Sequence, residues 1–444
     1  MNVNTSISRR EAIRRTAIGA AGLYLGSNLP IHTWAATPSS KTTGKAKSVI
    51  QVWMWGGPSH LDTFDPKPDA GNDYAGPLKA IETNVKGIRI CELLPLLAKQ
   101  ADKYTIIRGM THGNNSHETA AYMVQTGRKA GERDIYPCTG AVVSFFKGYD
   151  SGYKELIPPY IVLTEPQGRF PEQGFLQARH KPFATGGDPS AQRFMVEGIV
   201  AQGITEQQQK DRRDLLRKLN TLEHTIPENA TMKAMAKSQN DAYDMILGDG
   251  AKIFDLATEK NAVRDNYGRT KFGQSCLMAR RLVEKGVPYI TINHGGWDTH
   301  KDNFPAMRRK LPELDKGLAT LLQDLHDHGL LQSTIVCAYG EFGRTPKVDY
   351  QAPWNGGRGH YGKVFSVFLA GGGFKGGQIV GSSDAKGETV KDRPVYPQDL
   401  IGSIYTQLGI DLNAPLPHPL GTEVRVLPSA TEAIGSGGLL KEIV

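Results

Sequence analysis

The sequence VPYITINHGGWDTH, residues 287–300, joins a strand pattern to side chains that bind metals. Residues 287–292 are mostly β-branched or aromatic, which predicts a short buried strand. The two glycines after His294 predict a sharp turn, and Asp298 and His300 follow directly. Ligands of α/β proteins bind outside the carboxyl ends of the strands. A carboxylate and an imidazole at this point therefore predict a metal site with oxygen and nitrogen ligands.

Other predicted strands are followed by glycine and ionisable side chains in the same manner. Each segment is only a few residues long, so the prediction rests on their repetition at the strand ends. The further candidate ligands and catalytic groups are His60 and Asp62 after the strand 48–55, Glu341 and Arg344 after the strand 333–338, and His360 ahead of the strand 364–370.

The loop THGNNSHE brings a serine to the start of a predicted helix. The sequence patterns predict a helix over 88–103, a strand over 104–108 and, after the loop, a helix over 119–125. Ser116 therefore lies at a helix N-terminus, where free N–H groups favour an anion. By position alone Ser116 is more typical of a helix cap. The histidines and asparagines around it favour a catalytic role for Ser116 and His117.

Collected at one edge of a sheet, these side chains suit a two-metal hydrolytic centre. Two divalent ions need about six to eight oxygen and nitrogen ligands, which the predicted set roughly supplies. Such an ion pair stabilises the attacking and leaving oxygens during displacement at phosphorus or sulfur, and it activates a nearby serine hydroxyl. Either Arg344 or Arg358 would hold the remaining oxygens through paired hydrogen bonds.

Composition indicates a globular protein without a nucleic-acid-binding signature. The chain has 444 residues, 39% hydrophobic and 22% charged, which suits one large α/β domain with insertions, or two domains. Its formal charge of +8 comes from scattered lysines and arginines. Cys337 lies in an apolar strand and is predicted to be an inert thiol. A disulfide among Cys91, Cys138 and Cys276 is left open.

The N-terminus resembles a twin-arginine export signal. Arg9 and Arg10 precede a mildly apolar segment over 17–25, and small residues surround Ala35, where cleavage is predicted. The alternative is a cytosolic amphipathic helix that carries paired arginines. Export would involve the twin-arginine translocase and would place the mature chain in the periplasm or outside the cell, with no stable transmembrane anchor.

The rest of the chain is divided by changes in composition. The middle of the sequence is polar and rich in glycine and proline, which is typical of an insertion that covers a site. The predicted segments are a signal peptide over 1–35, a linker over 36–46, a main domain over 47–430 with an insertion or cap over 165–267, and a C-terminal tail over 431–444.

Five segments in this order, GGPSHLDTFDP, NNSHETAAYMVQTG, GGWDTH, GEFGRTP and GRGHYG, resemble the DUF1501 family over about residues 47–427. The closing segment VYPQDLIGSIYTQLGIDLN is similar to the C-terminal part of sulfatases. The resemblance implies the alkaline phosphatase and sulfatase superfamily, with a doubly wound, mostly parallel sheet and helices on both faces. The implied roles are Ser116 or His117 as nucleophile, Asp62 as the early metal ligand, Asp298 and His300 at one metal, and Glu341 and His360 completing the pair.

Two features depart from the superfamily pattern. The usual Asp-His after the penultimate core strand is here Glu341-Phe342, which loses a nitrogen ligand, and no formylglycine signature is present. We predict a metal-dependent hydrolase of phosphate or sulfate esters with one or two ions of zinc, calcium, magnesium or manganese. Its substrate would be a small anionic ester or a sulfated or phosphorylated glycan. The alternatives are a non-catalytic binder of anions or glycans, and a mutase or transferase acting on a sugar or lipid headgroup.

Overall fold

Apolar runs of the sequence form the strands of one central sheet. In this computed structural model the described residues are 44–131, 134–165, 172–191 and 252–444, with positions 194, 196, 207, 208, 211 and 214. The predicted signal peptide over 1–35 lies outside the described residues. So do residues 36–43 of the predicted linker and most of the predicted insertion over 165–267.

Eight of the strands in the described part of the chain form the central sheet, and the others form four antiparallel pairs. In chain order the strands are β1 (Ser48–Trp53), β2 (Ala80–Glu82), β3 (Arg89–Cys91), β4 (Tyr104–Met110), β5 (Tyr160–Leu163), β6 (Phe183–Ala184), β7 (Tyr289–Asn293), β8 (Thr334–Tyr339), β9 (Gly343–Arg344), β10 (His360–Tyr361), β11 (Phe365–Gly371), β12 (Gln378–Val380), β13 (Ser382–Ser383), β14 (Val390–Asp392), β15 (Pro415–Leu416) and β16 (Val424–Arg425).

The helices are concentrated between the sheet strands. In chain order the described α-helices are α1 (Asn72–Ala75), α2 (Pro95–Ala98), α3 (His117–Thr126), α4 (Thr139–Lys147), α5 (Asn261–Tyr267), α6 (Lys271–Glu284), α7 (Asn303–Asp327) and α8 (Pro397–Gln407). The predicted helix over 88–103 is wrong. β3 pairs with β2 within that stretch, and Pro95, which has no N–H to continue a helix, begins the separate short helix α2.

The strand order of the central sheet is β12–β4–β11–β8–β1–β7–β5–β6. Neighbouring strands run parallel except at β11, which is antiparallel to both β4 and β8. The register of β1 aligns Trp53 with Asn293 of β7 and with Tyr339 of β8. Three parallel strands therefore end at one level, and the loops that follow them share one edge of the sheet.

Helices cover both faces of the sheet. Along β1 the buried side chains alternate between two hydrophobic clusters: Ile50 and Val52 belong to one, and Val49 and Trp53 belong to the other. Helices α6 and α7 supply side chains to the first cluster, whereas α4 and α8 supply the second. The predicted α/β class, with a mostly parallel sheet and helices on both faces, is confirmed.

The C-terminal segment, the cysteines and the helices were also subjects of sequence predictions. Leu440 and Ile443 are buried in the second hydrophobic cluster, so the predicted tail over 431–444 is part of the folded unit. All four cysteines are free and buried, which answers the open question of a disulfide. Within the described residues, no helix has both the length and the apolar character needed to cross a membrane.

Candidate metal centre

Asp298 is the centre of a cluster of imidazole rings beyond the end of β7. Its Oδ1 lies 3.1 Å from Nε2 of His300 and 3.1 Å from Nε2 of His360, and its Oδ2 lies 3.4 Å from Nε2 of His117. The buried guanidinium of Arg344 contacts Oδ1 at 2.5 Å. Partial burial alone would raise the pKa of Asp298. The contact with His360 and the hydrogen bond and positive charge of Arg344 outweigh that effect and hold the pKa far below its ordinary value.

The topology explains why side chains distant in the sequence meet here. Asp298 follows β7, and Arg344 follows β8, which is the neighbour of β1 on its other side. The short strand β10 pairs with β9, and this register sets His360 opposite Arg344. His117 is the first residue of α3, after the loop that leaves β4. The site is thus assembled from four loops at one sheet edge.

The hydrogen bonds of His360 indicate which of its ring nitrogens is free to bind a cation. Nδ1 lies 2.9 Å from the backbone oxygen of Asn115, which can only accept, so Nδ1 carries the hydrogen. In the neutral ring, Nε2 then presents a lone pair to Asp298 Oδ1 and to Nε2 of His300, which is 2.8 Å away. A cation held between these acceptors would remove their mutual repulsion.

His117 is oriented by a buried carboxylate in the same way. Its Nδ1 lies 2.5 Å from Oε1 of Glu341, which is fully buried and also accepts hydrogen bonds from the N–H of Gly56 at 3.0 and 3.2 Å. The hydrogen bond to Glu341 raises the pKa of His117 above its ordinary value. With Nδ1 committed to Glu341, Nε2 is the ring nitrogen that faces Asp298. A carboxylate, a histidine and a metal are commonly arranged in this order.

One group of donor atoms among the described residues meets the geometry of a metal site. A ligand atom from each of His117, Asp298 and His360 lies within 4.8 Å of the others. His300 is the adjacent imidazole, 3.1 Å from the same carboxylate. Two imidazoles and a carboxylate with room for a further ligand are the usual protein ligands of a catalytic zinc ion, so this donor set suits a divalent metal.

Aromatic rings line the cluster on two sides. Trp55 stacks on His117 with ring centroids 5.2 Å apart. Phe342, which is fully buried, lies 4.9 Å from the ring of His117 and 4.7 Å from that of His360. Phe342 supports both imidazoles by packing and, as an apolar side chain, adds no donor atom to the cluster.

The structure does not bring His60 and Asp62 into this group. Both oxygens of Asp62 are bound by Arg358, at 2.8 and 3.0 Å, and Oδ2 also accepts a hydrogen bond from Asn303 at 2.9 Å. His60 is completely buried, with Nε2 2.9 Å from the backbone oxygen of Gly387. Their predicted places as metal ligands are therefore corrected, because their polar atoms already serve a buried ion pair and a backbone contact.

Two other predicted site residues have contacts that differ from the expected ones, whereas Ser116 lies at a helix N-terminus as predicted. Glu341 touches His117 and Gly56 and contacts the donor group only through His117. Arg344 is fully buried and donates to Asp298 and to the backbone oxygens of residues 56, 57 and 358, so it is not directed at a substrate. Ser116 is exposed at the N-cap of α3, and its side chain makes no capping hydrogen bond.

Two contributions of the site could not be read from residue types. The backbone oxygen of Asn115 fixes the ring of His360, and the N–H of Gly56 binds Glu341. Backbone groups are present at every position, so they leave no mark in a sequence. Arg358, which the sequence suggested as a substrate contact, binds Asp62 instead. In the sequence, only the glycines around Arg358 indicated that the backbone there packs closely against another segment.

Buried neutral histidines make stability depend on acid pH. Desolvation lowers the pKa of His60 and that of His112 to about 4, from an ordinary value of 6.5. The unfolded chain therefore binds more protons between these values, and the free energy of unfolding falls as the pH drops from 6.5 to 4, by up to ~3 kcal/mol for each histidine. Urea unfolding between pH 7 and pH 4.5 measures this slope.

A matched pair of variants checks the cause of that slope. His60→Gln keeps a donor for Gly387 and is expected to flatten the dependence on pH, whereas His326→Gln, on the exposed end of α7, is expected to leave it unchanged. An unchanged slope in His60→Gln would show that other groups dominate acid unfolding.

Fold and site together define an α/β protein with a candidate metal centre at the carboxyl edge of its sheet. The chain belongs to the DUF1501 family, because the model of this family matches residues 46–434. The description of the family is 'protein of unknown function'. No curated protein matches the sequence.

Several solved structures resemble the chain distantly. One is a protein in the alkaline phosphatase superfamily from Vibrio parahaemolyticus, 10% identical over 90% of this chain and 71% of that chain, with a TM-score of 0.40. The alkaline phosphatase from the Antarctic bacterium TAB5 is 12% identical over 83% and 99%, with a TM-score of 0.36. Ps i-CgsB, crystallised with a neocarrahexaose, is 12% identical over 88% and 77%, with a TM-score of 0.39.

Proposed function

We propose that this chain is an exported metal-dependent hydrolase of phosphate or sulfate esters. The observation that carries the proposal is the group formed by His117, Asp298 and His360, in which three donor atoms converge at the carboxyl edge of the sheet. The side chain of Asp298 is 43% exposed, so a small anionic ester can approach the centre from solvent. Zinc suits this donor set best, because imidazole and carboxylate ligands with an open position are typical of hydrolytic zinc sites.

The roles of the residues follow from their contacts. A divalent ion held by the three ligands would supply Lewis-acid chemistry at the ester oxygens. Glu341 keeps His117 in the tautomer that directs Nε2 at the centre, and Arg344 holds Asp298 in place from behind. His300 is the exposed imidazole next to Asp298, where it serves as a further ligand or as a contact for the substrate.

Ser116 is the proposed nucleophile. It is exposed, it directly precedes His117, and its hydroxyl is not used to cap α3. The free N–H groups at the start of this helix favour the negative charge that develops on the transferred group. An attack by Ser116 on phosphorus or sulfur would break the ester bond and release the alcohol, and water would then hydrolyse the serine ester.

Ser116→Ala is expected to lower the turnover of p-nitrophenyl phosphate or p-nitrophenyl sulfate by at least ~1000-fold, because loss of a nucleophile removes the covalent route. Its zinc content should equal that of the wild type, and Ser151→Ala, at an exposed turn, is the matched control. If the wild type turns over neither ester with zinc bound, the hydrolase proposal fails. If Ser116→Ala remains active, another group is the nucleophile.

Export is tested separately from chemistry. Replacing Arg9 and Arg10 by lysine is expected to retain the chain in the cytoplasm, because the translocase reads the paired guanidinium groups. Fractionation of cells that express the wild type and the double variant measures this. Equal recovery of both proteins from the periplasm would contradict a twin-arginine route.

A non-catalytic binder of anions or glycans is the second candidate, and the burial of Arg344 favours it. The guanidinium that was expected to grip the substrate is fully enclosed by protein acceptors. This candidate predicts that the metal-loaded protein binds phosphate or sulfate without turnover, and that Ser116→Ala binds as tightly as the wild type. Calorimetry with inorganic sulfate on both proteins distinguishes it from the hydrolase.

A further inference from the structure

An exposed tryptophan lies at one end of the row of rings that forms the site. The ring centroids are separated by 4.5 Å from His360 to His300 and by 6.4 Å from His300 to Trp354. Trp354 is 38% exposed, and Tyr350, four residues earlier, is 50% exposed. The indole ring is therefore the neighbour of His300 in this row, and a sugar ring stacked on Trp354 would place its substituents near His300 and Asp298.

The loop that presents Trp354 has a fixed base. The backbone oxygen of Trp354 accepts the N–H of Asp302 at 3.0 Å, and Arg358 donates its N–H to Thr299 O at 3.1 Å. At Gly357 a Cβ atom would lie 1.7 Å from the backbone oxygen of His300, so only glycine allows this approach. The tryptophan loop is thereby joined to the segment that carries the site, and its position relative to His300 is set by backbone contacts.

The surroundings of Trp354 are polar and charged. Every residue from 349 to 355 is exposed, and the sequence DYQAPWN alternates aromatic rings with carboxylate and amide side chains. Lys301 holds its ammonium group 5.9 Å from the centroid of the Trp354 ring. A lipid tail would require a continuous apolar patch, and the exposed residues 349–355, DYQAPWN, do not form one. A sugar ring, in contrast, offers an apolar C–H face for the indole and hydroxyl groups for the neighbouring amides.

We infer that Trp354 and Tyr350 form a subsite for a pyranose ring of a glycan that carries sulfate or phosphate esters, with Lys301 facing a negative substituent. This subsite supplies the substrate class of the proposed hydrolase and rests on that proposed function. The glycan stacks its C–H face on Trp354, which directs the ester of that ring, or of the next one, towards His300 and Asp298.

The experiment is affinity electrophoresis in native gels, since it reads binding without turnover. The gels contain carrageenan, fucoidan or yeast phosphomannan, and agarose serves as the unsulfated galactan control. Trp354→Ala is expected to weaken the retardation by the charged glycan about tenfold in apparent Kd, the effect of losing one aromatic stacking partner. Trp354→Phe should restore most of the binding, and Tyr149→Ala, an exposed aromatic on the turn after α4, should bind as the wild type does.

None of these substitutions changes the net charge. The non-specific attraction between a basic chain and a polyanion is therefore the same for the variants and the wild type. Equal retardation of Trp354→Ala and the wild type, or no retardation of the wild type by any of the three charged glycans, overturns the subsite. Binding of adenosine monophosphate that depends on Trp354, without retardation by any of the glycans, would assign Trp354 and Tyr350 to a nucleobase. This result would also overturn the glycan subsite.

Zinc content and turnover of p-nitrophenyl esters are measured on the same proteins to separate the two proposals. Glycan retardation that depends on Trp354, without turnover of any ester, would retain the subsite and reject the hydrolase. Ester turnover without glycan retardation would do the reverse.

Discussion

Asp298→Asn is expected to lower the affinity for zinc by at least ~100-fold while the protein remains folded. Asp298 is the carboxylate that faces all three imidazoles of the site, so its negative charge offsets the charge of the ion. Removal of partners that only orient a ligand already costs 10- to 100-fold in affinity, and a direct ligand should exceed that range. Asparagine keeps an oxygen for the hydrogen bond from Arg344, which protects that buried guanidinium. Chelator competition and elemental analysis measure the effect.

Two further variants define how specific that loss is. Glu341→Gln is expected to lower zinc affinity by only about 10- to 100-fold, because Glu341 acts through the ring of His117. Asp327→Asn, an exposed carboxylate on α7, should bind zinc as the wild type does. If Asp298→Asn retained the wild-type affinity, the ion would have to be held by other groups, and the centre described above would be rejected.

Arg358→Met is expected to lower the free energy of unfolding by about 3–5 kcal/mol. Arg358 and Asp62 are both fully enclosed, and the guanidinium also donates to the backbone oxygens of Thr345 and Tyr74. Methionine fills much of the same volume but leaves the carboxylate of Asp62 buried without its counter-charge. Urea unfolding at pH 7 measures the difference.

The double variant Asp62→Asn, Arg358→Met is expected to recover part of that loss, because no unpaired charge then remains inside the protein. Arg269→Met removes an exposed ion pair and should change stability little. The folded fraction of Asp62→Asn should still bind zinc, since Asp62 lies outside the donor group. A loss of zinc with unchanged stability would return Asp62 to the role of metal ligand that its sequence position suggested.

Much of the fold was predictable because the central strands can be recognised from short segments of the sequence. β1, β7 and β8 are short apolar runs followed by glycine, and such runs need no long-range information to be recognised. The stretch 88–103 failed for the opposite reason. Its apolar spacing also suits a helix, and only the pairing of β3 with β2 decides that Arg89–Cys91 is extended.

The site was predictable in residue type but not in role. His117, Asp298, His300 and His360 were candidates by residue type and by their places in loops near strands, and the structure brings them together. His60 and Asp62 carry the same pattern, yet their polar atoms face Gly387 and Arg358 instead. A motif shows that a loop leaves the sheet, whereas the rotation of each side chain depends on partners that the motif does not contain.

The sequence by itself determined the central-sheet strands β1, β4, β7, β8 and β11, the family, and the loops in which the candidate metal ligands lie. This was possible because hydrophobic periodicity, the positions of glycines and residue type are local properties of the chain. Only the tertiary structure decided that Glu341 orients His117, that Arg344 binds Asp298, and that Asp62 is neutralised by Arg358. These roles depend on which buried charges face each other. An unpaired buried charge is costly, and its partner can come from any part of the chain that the fold brings close.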